Sequence, residues 1–196
     1  LLTAEGFRLT ELDSVPGGMG FTGQISRLYT ELGYEVIGGA DGLVEGFYAA
    51  VQATLQQERP ALAIVVSDES ETYRAEMEWL ATQLRTGGRP VYCLHPRDLR
   101  FDEEGLLVEA EGARVRVDAV YRFFELFDLP NIPKAELIAY FAKKNSVRLT
   151  PPLKAYLEEK MWLALLHHPL LQAFWEQELK SQALAALLKI APRTWI

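Results

Sequence analysis

The run Ala61-Leu62-Ala63-Ile64-Val65-Val66, ending in Ser67-Asp68-Glu69-Ser70, decides the fold. Six apolar residues in succession lack the alternation of a strand with one wet face, and they predict a central parallel strand covered on both sides. Tyr73, Met77, Leu80 and Leu84 then recur at helical spacing as far as Gly87-Gly88, and Val91 to Leu94 forms another apolar run. Strand, helix and strand in that order make a βαβ unit, in which connections are right-handed and ligands gather outside the carboxyl ends of the strands.

Working toward the N-terminus, Phe7-Arg8-Leu9-Thr10-Glu11-Leu12 alternates apolar and polar residues and predicts a strand. The turn formers Asp13 to Gly20 follow. Next comes a helix with Ile25, Leu28, Tyr29 and Leu32 on one stripe, closed by Gly33. A further helix is expected over 41–57 with Asp41 as its N-cap. Toward the C-terminus, Asp102-Glu103-Glu104-Gly105 and Glu111-Gly112 flank Leu106-Leu107-Val108 and predict a hairpin within 99–117. Strand character returns over 117–124, a helix over 134–144 and a short strand at Val147-Arg148-Leu149. From Pro152 onward the pattern is helical, with Leu153, Tyr156, Leu157, Met161, Trp162, Leu165 and Leu166 along one helix and breaks at Pro169 and near Lys180. The expected class is α/β: a Rossmann-like, mostly parallel sheet with helices on both faces, an inserted β-hairpin and a C-terminal helical segment. Residues 1–150 form the sheet domain and 151–196 the helical segment.

The chain has 196 residues, 49% hydrophobic and 24% charged, with a formal net charge of −7. No basic run is interleaved with aromatics, which argues against nucleic acid as a partner. No apolar stretch reaches membrane-spanning length and no basic-then-apolar leader opens the chain, so the expected compartment is the cytoplasm. Cys93, the one cysteine, lies in an apolar run and reads as a small buried hydrophobe. His167-His168-Pro169 is no metal pair, because adjacent helical residues point apart. Apolar ends at Leu1-Leu2 and Thr194-Trp195-Ile196 suggest a domain cut from a longer chain.

Four places carry chemistry-bearing residues. Glu11 and Asp13, at i and i+2 of the expected strand, share a face and offer hard oxygen ligands to a cation. Pro16-Gly17-Gly18-Met19-Gly20 leads backbone N–H groups into a helix N-terminus, a setting for an anion, although Asp13 or Ser14 capping a turn explains the same residues. Glu69 follows the central strand at the ligand-binding end, with Ser70 capping the next helix. Arg122 ends a strand and suits a carboxylate or phosphate clamp, or a surface pair with Glu125. Lys160, in Glu158-Glu159-Lys160, reads equally as part of a solvated helix face.

Thr10-Glu11-Leu12-Asp13-Ser14-Val15-Pro16-Gly17-Gly18 resembles the Glu-x-Asn segment of the circularly permuted ATP-grasp ligases, the group that holds eukaryotic glutathione synthetase and glutathionylspermidine synthase. Asp13 stands where those enzymes commonly have Asn, and Pro16 and Gly18 replace hydroxyl residues. Val117 to Arg122 resembles the family's Tyr-Arg strand, Ser146 to Leu166 the segment whose lysine contacts ATP, and Pro192-Arg193-Thr194 the Pro-x-Thr that follows. The resemblance implies magnesium on Glu11 and Asp13, substrate contacts from Ser14, Gly17, Gly18, Glu69 and Arg122, and ATP phosphates on Lys160. It implies an ATP-dependent joining of a small carboxylate to an amine through an acyl phosphate. The partner would be the remainder of the ATP-grasp domain, without which the chain would not turn over. A second copy, docked on the apolar C-terminal helices, is a further expected partner. The rival readings are a non-catalytic ligand- or partner-binding module on the same fold and a glycosyl- or nucleotidyl-transfer enzyme.

Overall fold

The computed structural model describes every residue except Glu111 and Ile196, with the backbone alone at Glu158. The chain divides into two compact units, residues 15–153 and residues 1–14 with 154–196. The first fourteen residues thus belong with the C-terminal segment. In chain order the elements are β1 (Leu2–Thr3), β2 (Gly6–Phe7), α1 (Met19–Glu31), α2 (Gly42–Leu55), β3 (Leu62–Val66), α3 (Arg74–Thr86), β4 (Val91–Leu94), β5 (Arg100–Phe101), β6 (Leu106–Ala110), β7 (Ala113–Arg116), β8 (Ala119–Phe123), α4 (Ala135–Lys143), β9 (Arg148–Thr150), α5 (Trp162–Leu166), α6 (Gln172–Glu178) and α7 (Ser181–Ile190).

Residues 15–153 are built on a four-stranded sheet in the order β4-β3-β8-β9, with every pair parallel. The two-residue period of the strands sorts their side chains. Leu62, Ile64, Val66, Ala119, Tyr121 and Phe123 join Val44, Tyr48, Met77, Leu80 and Leu84, so α2 and α3 cover one face. Ala63, Val65, Val120 and Leu149 join Leu106, Val108, Ile138 and Phe141, so α4 and a second sheet cover the other. All five residues of β3 are 0% exposed. The Leu, Ile and Val side chains among them each contribute about 1.5–3 kcal/mol by leaving water. The α/β class and the parallel central strand expected from Ala61 to Val66 are both present.

Several local expectations need correction. The inserted hairpin is a three-stranded antiparallel sheet, β5-β6-β7, because Arg100-Phe101 also pairs with Leu107-Leu106; two residues are too few for an alternation to be read. Its first turn is the one expected: Asp102 Oδ1 accepts from the N–H groups of Glu104 (2.9 Å) and Gly105 (3.0 Å). The second turn includes Glu111, outside the described residues. In α1 the residues that turn inward are Gly20 and Gly23, while Leu28, Tyr29 and Leu32 are exposed. A Cβ on Gly20 would stand 2.6 Å from the Glu76 carbonyl oxygen, so α1 meets α3 through its small residues and not through the apolar stripe.

A further correction concerns the other unit. No strand runs from Phe7 to Leu12: β2 stops at Phe7, paired with β1. Beyond it, Arg8 and Leu1 exchange backbone hydrogen bonds (2.8 Å each), where the pairing ends; Leu9 N–H donates to Ile190 O (2.9 Å) and Arg8 Nη1 to Lys189 O (2.9 Å), so the segment then caps the end of α7. The long helix expected after Pro152 is instead a 3₁₀ turn over Ala155–Glu158 and the five-residue α5. The breaks at Pro169 and Lys180 fall where expected. Burial is thin, with Leu163, Ala164, Leu184 and Ala191 as the buried apolar residues of the segment. An aromatic chain adds to it: Tyr156, Trp162, Trp175 and Phe174 stand edge-to-face in succession, with ring centroids 6.4, 6.5 and 4.9 Å apart. Trp175 Nε1 donates to Leu165 O (2.9 Å) and Trp162 Nε1 to Tyr156 O (2.5 Å).

Candidate functional site

In the unit of residues 1–14 and 154–196, Glu11 Oε2 lies 2.5 Å from Lys160 Nζ. The Glu11 carboxylate, through its hydrogen bond and then its charge, raises the Lys160 ammonium above the ordinary lysine value, and Asp13 adds to the same effect. A carboxylate and an ammonium from opposite ends of the sequence thus meet, and Asp13 lies two residues from Glu11. They do so from irregular backbone, not from a strand end: Lys160 occupies a turn and both acids are exposed. Among the described residues no three His, Cys, Asp or Glu side chains converge as a metal set. Glu11 and Asp13 would by themselves supply at most a partial shell for magnesium, an ion that commonly keeps waters and substrate phosphates among its ligands. Ser14, in the same unit, is half-buried.

In residues 15–153 the expected anion site at the start of α1 has an intramolecular occupant. Gly18 N–H donates to Glu76 Oε1 (3.3 Å) and Phe21 N–H to Glu76 Oε2 (3.1 Å). The α1 N-terminus thus meets a carboxylate from α3, which its dipole and orphan N–H groups favour. Gly18 has φ 81°, a conformation that suits glycine, and Gly17 lies against the Tyr73 ring. Arg122 is 0% exposed. Its Nη1 donates to Phe124 O (2.6 Å), its Nε to Pro151 O (3.0 Å) and its Nη2 to Pro152 O (3.5 Å). The guanidinium thereby ties the end of β8 to the segment leaving β9. Glu69 is exposed at the carboxyl end of β3.

The same strand ends hold a cluster that the reading of the sequence passed over. His95, just after β4, is 8% exposed, and its Nε2 stands 3.1 Å from Asp68 Oδ1. Its Nδ1 accepts from Arg97 N (3.1 Å) and Arg97 Nε (2.9 Å). With Nδ1 accepting, the proton belongs on Nε2, facing the carboxylate. Arg97 Nη2 donates to Asp68 Oδ2 (3.0 Å). These residues, with Glu71, Arg74 and Cys93, line an open cavity of about 470 Å³. Burial pushes the Cys93 thiol up to about 12, so it offers no thiolate at neutral pH. The cavity can hold a charged ligand between oriented carboxylate and guanidinium groups. The signal was present in the sequence, since the strand-end logic that singled out Glu69 applies equally to His95-Pro96-Arg97 one strand over.

No helix among the described residues is long and apolar enough to cross a membrane. No family model matches the chain, and no curated protein matches its sequence.

Proposed function

We propose that the chain is the substrate-binding part of an ATP-dependent carboxylate–amine ligase of the circularly permuted ATP-grasp type, with a Rossmann-like sheet as its frame. The observation that carries this reading is the contact of Glu11, two residues before Asp13, with Lys160. The resemblance assigns the first two to magnesium and the third to ATP phosphates, and these functions have to be neighbours in phosphoryl transfer. Glu11 and Asp13 would hold the cation, and Lys160 would exchange its carboxylate partner for a phosphate oxygen. When bound, magnesium neutralises charge on the transferring phosphoryl group and orients it. Glu69, which the resemblance assigns to substrate, is exposed at the carboxyl end of β3. Arg122 would then act by fixing the segment after β9, a positioning role.

The test is ADP release by the protein that joins this chain to the remaining ATP-grasp region, supplied with magnesium–ATP and a panel of carboxylates and amines. Glu11→Ala is expected to lower ADP formation by about 10²–10³-fold, the scale of losing one group that stabilises transition-state charge. Unchanged turnover in that variant overturns the reading.

One observation favours the second reading, a non-catalytic binding module. Gly18 and Arg122, both assigned to substrate by the resemblance, are engaged by Glu76 and by backbone carbonyls. A ligand that binds at Asp68 and Arg97 without ATP hydrolysis under any pairing of acid and amine would support it.

A further inference from the structure

A second concavity lies at the other end of the parallel sheet. Arg59 precedes β3 and Arg89 precedes β4, so both stand at the amino ends of the strands, away from Asp68 and His95. The space measures about 600 Å³ and is lined by Arg59, Arg85, Arg89, Thr82 and Tyr92 among others. On a chain of net charge −7, three guanidinium groups gather there. Arg89 forks onto Glu45 and lies over the Tyr48 ring, 5.1 Å from its centre. Arg59 and Arg85 pair with no carboxylate among the described residues. Arg59 Nη2 donates to Gly88 O, while Arg85 Nη1 donates to Val91 O (2.9 Å) and its Nη2 to Thr82 Oγ1 (3.2 Å).

Those oxygens satisfy single N–H groups, and no carboxylate among the described residues cancels the charge. They also fix both side chains before any ligand arrives. Thr82 Oγ1 accepts from Arg85, so its own proton remains to be donated. The C-terminal end of α3 favours one cation, Arg85. It does not explain why Arg59 and Arg89 converge on it from two other loops, with Gly88 at φ 78° turning the chain to bring Arg89 in.

The geometry points to a binding site for a phosphate group at this end of the sheet, carried by Arg59, Arg85 and the Thr82 hydroxyl. Donors arriving from separate segments suit a tetrahedral dianion, whereas a planar carboxylate is saturated by one guanidinium fork. The phosphate is either free or the head of a small phosphomonoester. The site stands apart from the ligase reading, whose groups lie elsewhere.

The test is calorimetric titration of the chain with inorganic phosphate and with glycerol phosphate, at an ionic strength held constant with chloride. Phosphate is expected to bind in preference to chloride, and Arg59→Gln and Arg85→Gln are each expected to weaken it about tenfold. Arg116→Gln, which removes an arginine from the β7 surface, is expected to leave binding unchanged. Tighter binding of glycerol phosphate assigns the site to a phosphomonoester, and weaker binding assigns it to the free anion. Among the described residues Arg59 holds the Gly88 carbonyl alone, so its variant reads binding even if Arg85→Gln disturbs β4. No binding beyond chloride overturns the proposal, as does an Arg59→Gln protein that binds like the parent.

Discussion

Residues 15–153 and the unit of residues 1–14 with 154–196 solve the same problem with different success. In the first, β3 is flanked by a strand on either side and covered on both faces, and none of its residues retains exposure. In the second, the elements are short, α5 having five residues, and large apolar side chains remain in water: Leu170 at 87%, Phe174 at 49% and Trp195 at 77%. A strand in a sheet recruits burial from neighbours far along the chain. A helix of one or two turns has little area to bury and a nucleation cost to offset. The Glu11–Lys160 pair sits on the sparsely packed unit, where local opening is cheap and a charged pair can change partners.

The largest expected difference comes from Arg122. Arg122→Ala removes the donor for Phe124 O, Pro151 O and Pro152 O inside the well-packed unit. The Phe124 carbonyl left unsatisfied in the core and the space left by a fully buried side chain are together expected to cost about 3–5 kcal/mol, measured by urea unfolding. A variant as stable as the parent would break the comparison and return Arg122 to the role of substrate clamp. Next in size is a matched pair of truncations. Ile64→Ala, in β3, is expected to cost about 2–5 kcal/mol. Leu170→Ala, on the exposed surface of the other unit, is expected to stay within about 0.5 kcal/mol. A large loss at Leu170 in the isolated chain would mean that a second copy covers that face, and sedimentation would detect the dimer.

These contrasts also mark what the sequence disclosed. Ala61 to Val66 was legible because continuous apolarity has one economical explanation in an α/β chain, burial on both faces of a parallel sheet. Pro169 and Lys180 were legible as helix breaks. The strand at Phe7 to Leu12 was not, because alternation says nothing about whether a neighbouring strand exists to pair with. The α1 stripe misled for a related reason: the inward face was selected by close approach at Gly20 and Gly23, which hydrophobicity does not register. Of the site residues, the Glu11 and Lys160 positions could be named from the resemblance, while their contact could not. His95 and Arg97 were missed because the strand-end logic was applied to the loop after β3 and not to the loop after β4.

A third test of the packing contrast uses glycines of opposite expected sign. Gly20→Ala would force a Cβ against Glu76 backbone atoms 2.6 and 2.7 Å away. Overpacking of that kind is expected to destabilise by about 1–3 kcal/mol. Gly46, inside α2, has open space where a Cβ would stand, with no neighbouring heavy atom within 4 Å. Gly46→Ala is expected to stabilise by about 0.5–1 kcal/mol through helix propensity alone. Thermal melts of the two variants check both signs, and a stabilised Gly20→Ala would show that α1 and α3 are not in close contact.

The smallest expected effect separates the two units by pH. In the β5-β6-β7 sheet, Arg116 donates to both oxygens of Asp102, at 3.0 and 2.8 Å, and holds its carboxyl far below the usual carboxylate range, with the Glu104 and Gly105 N–H groups assisting. A depressed folded value means that this stabilisation is complete above the unfolded aspartate pKa of about 3.9 and is lost as the pH falls toward the folded value. Lys160 has the opposite sign. Glu11 raises it, so its contribution is complete below the unfolded lysine pKa of about 10.4 and is lost as the pH climbs through the folded value. Both groups are exposed and screened, and the effects on stability are correspondingly slight. Melting temperature measured across pH is therefore expected to lose part of its acid slope in Asp102→Asn and part of its alkaline slope in Lys160→Met, each variant leaving the other limb as it was. If Lys160→Met left the alkaline limb unchanged at low salt, the Glu11–Lys160 contact would be absent in solution, and the observation that carries the ligase reading would go with it.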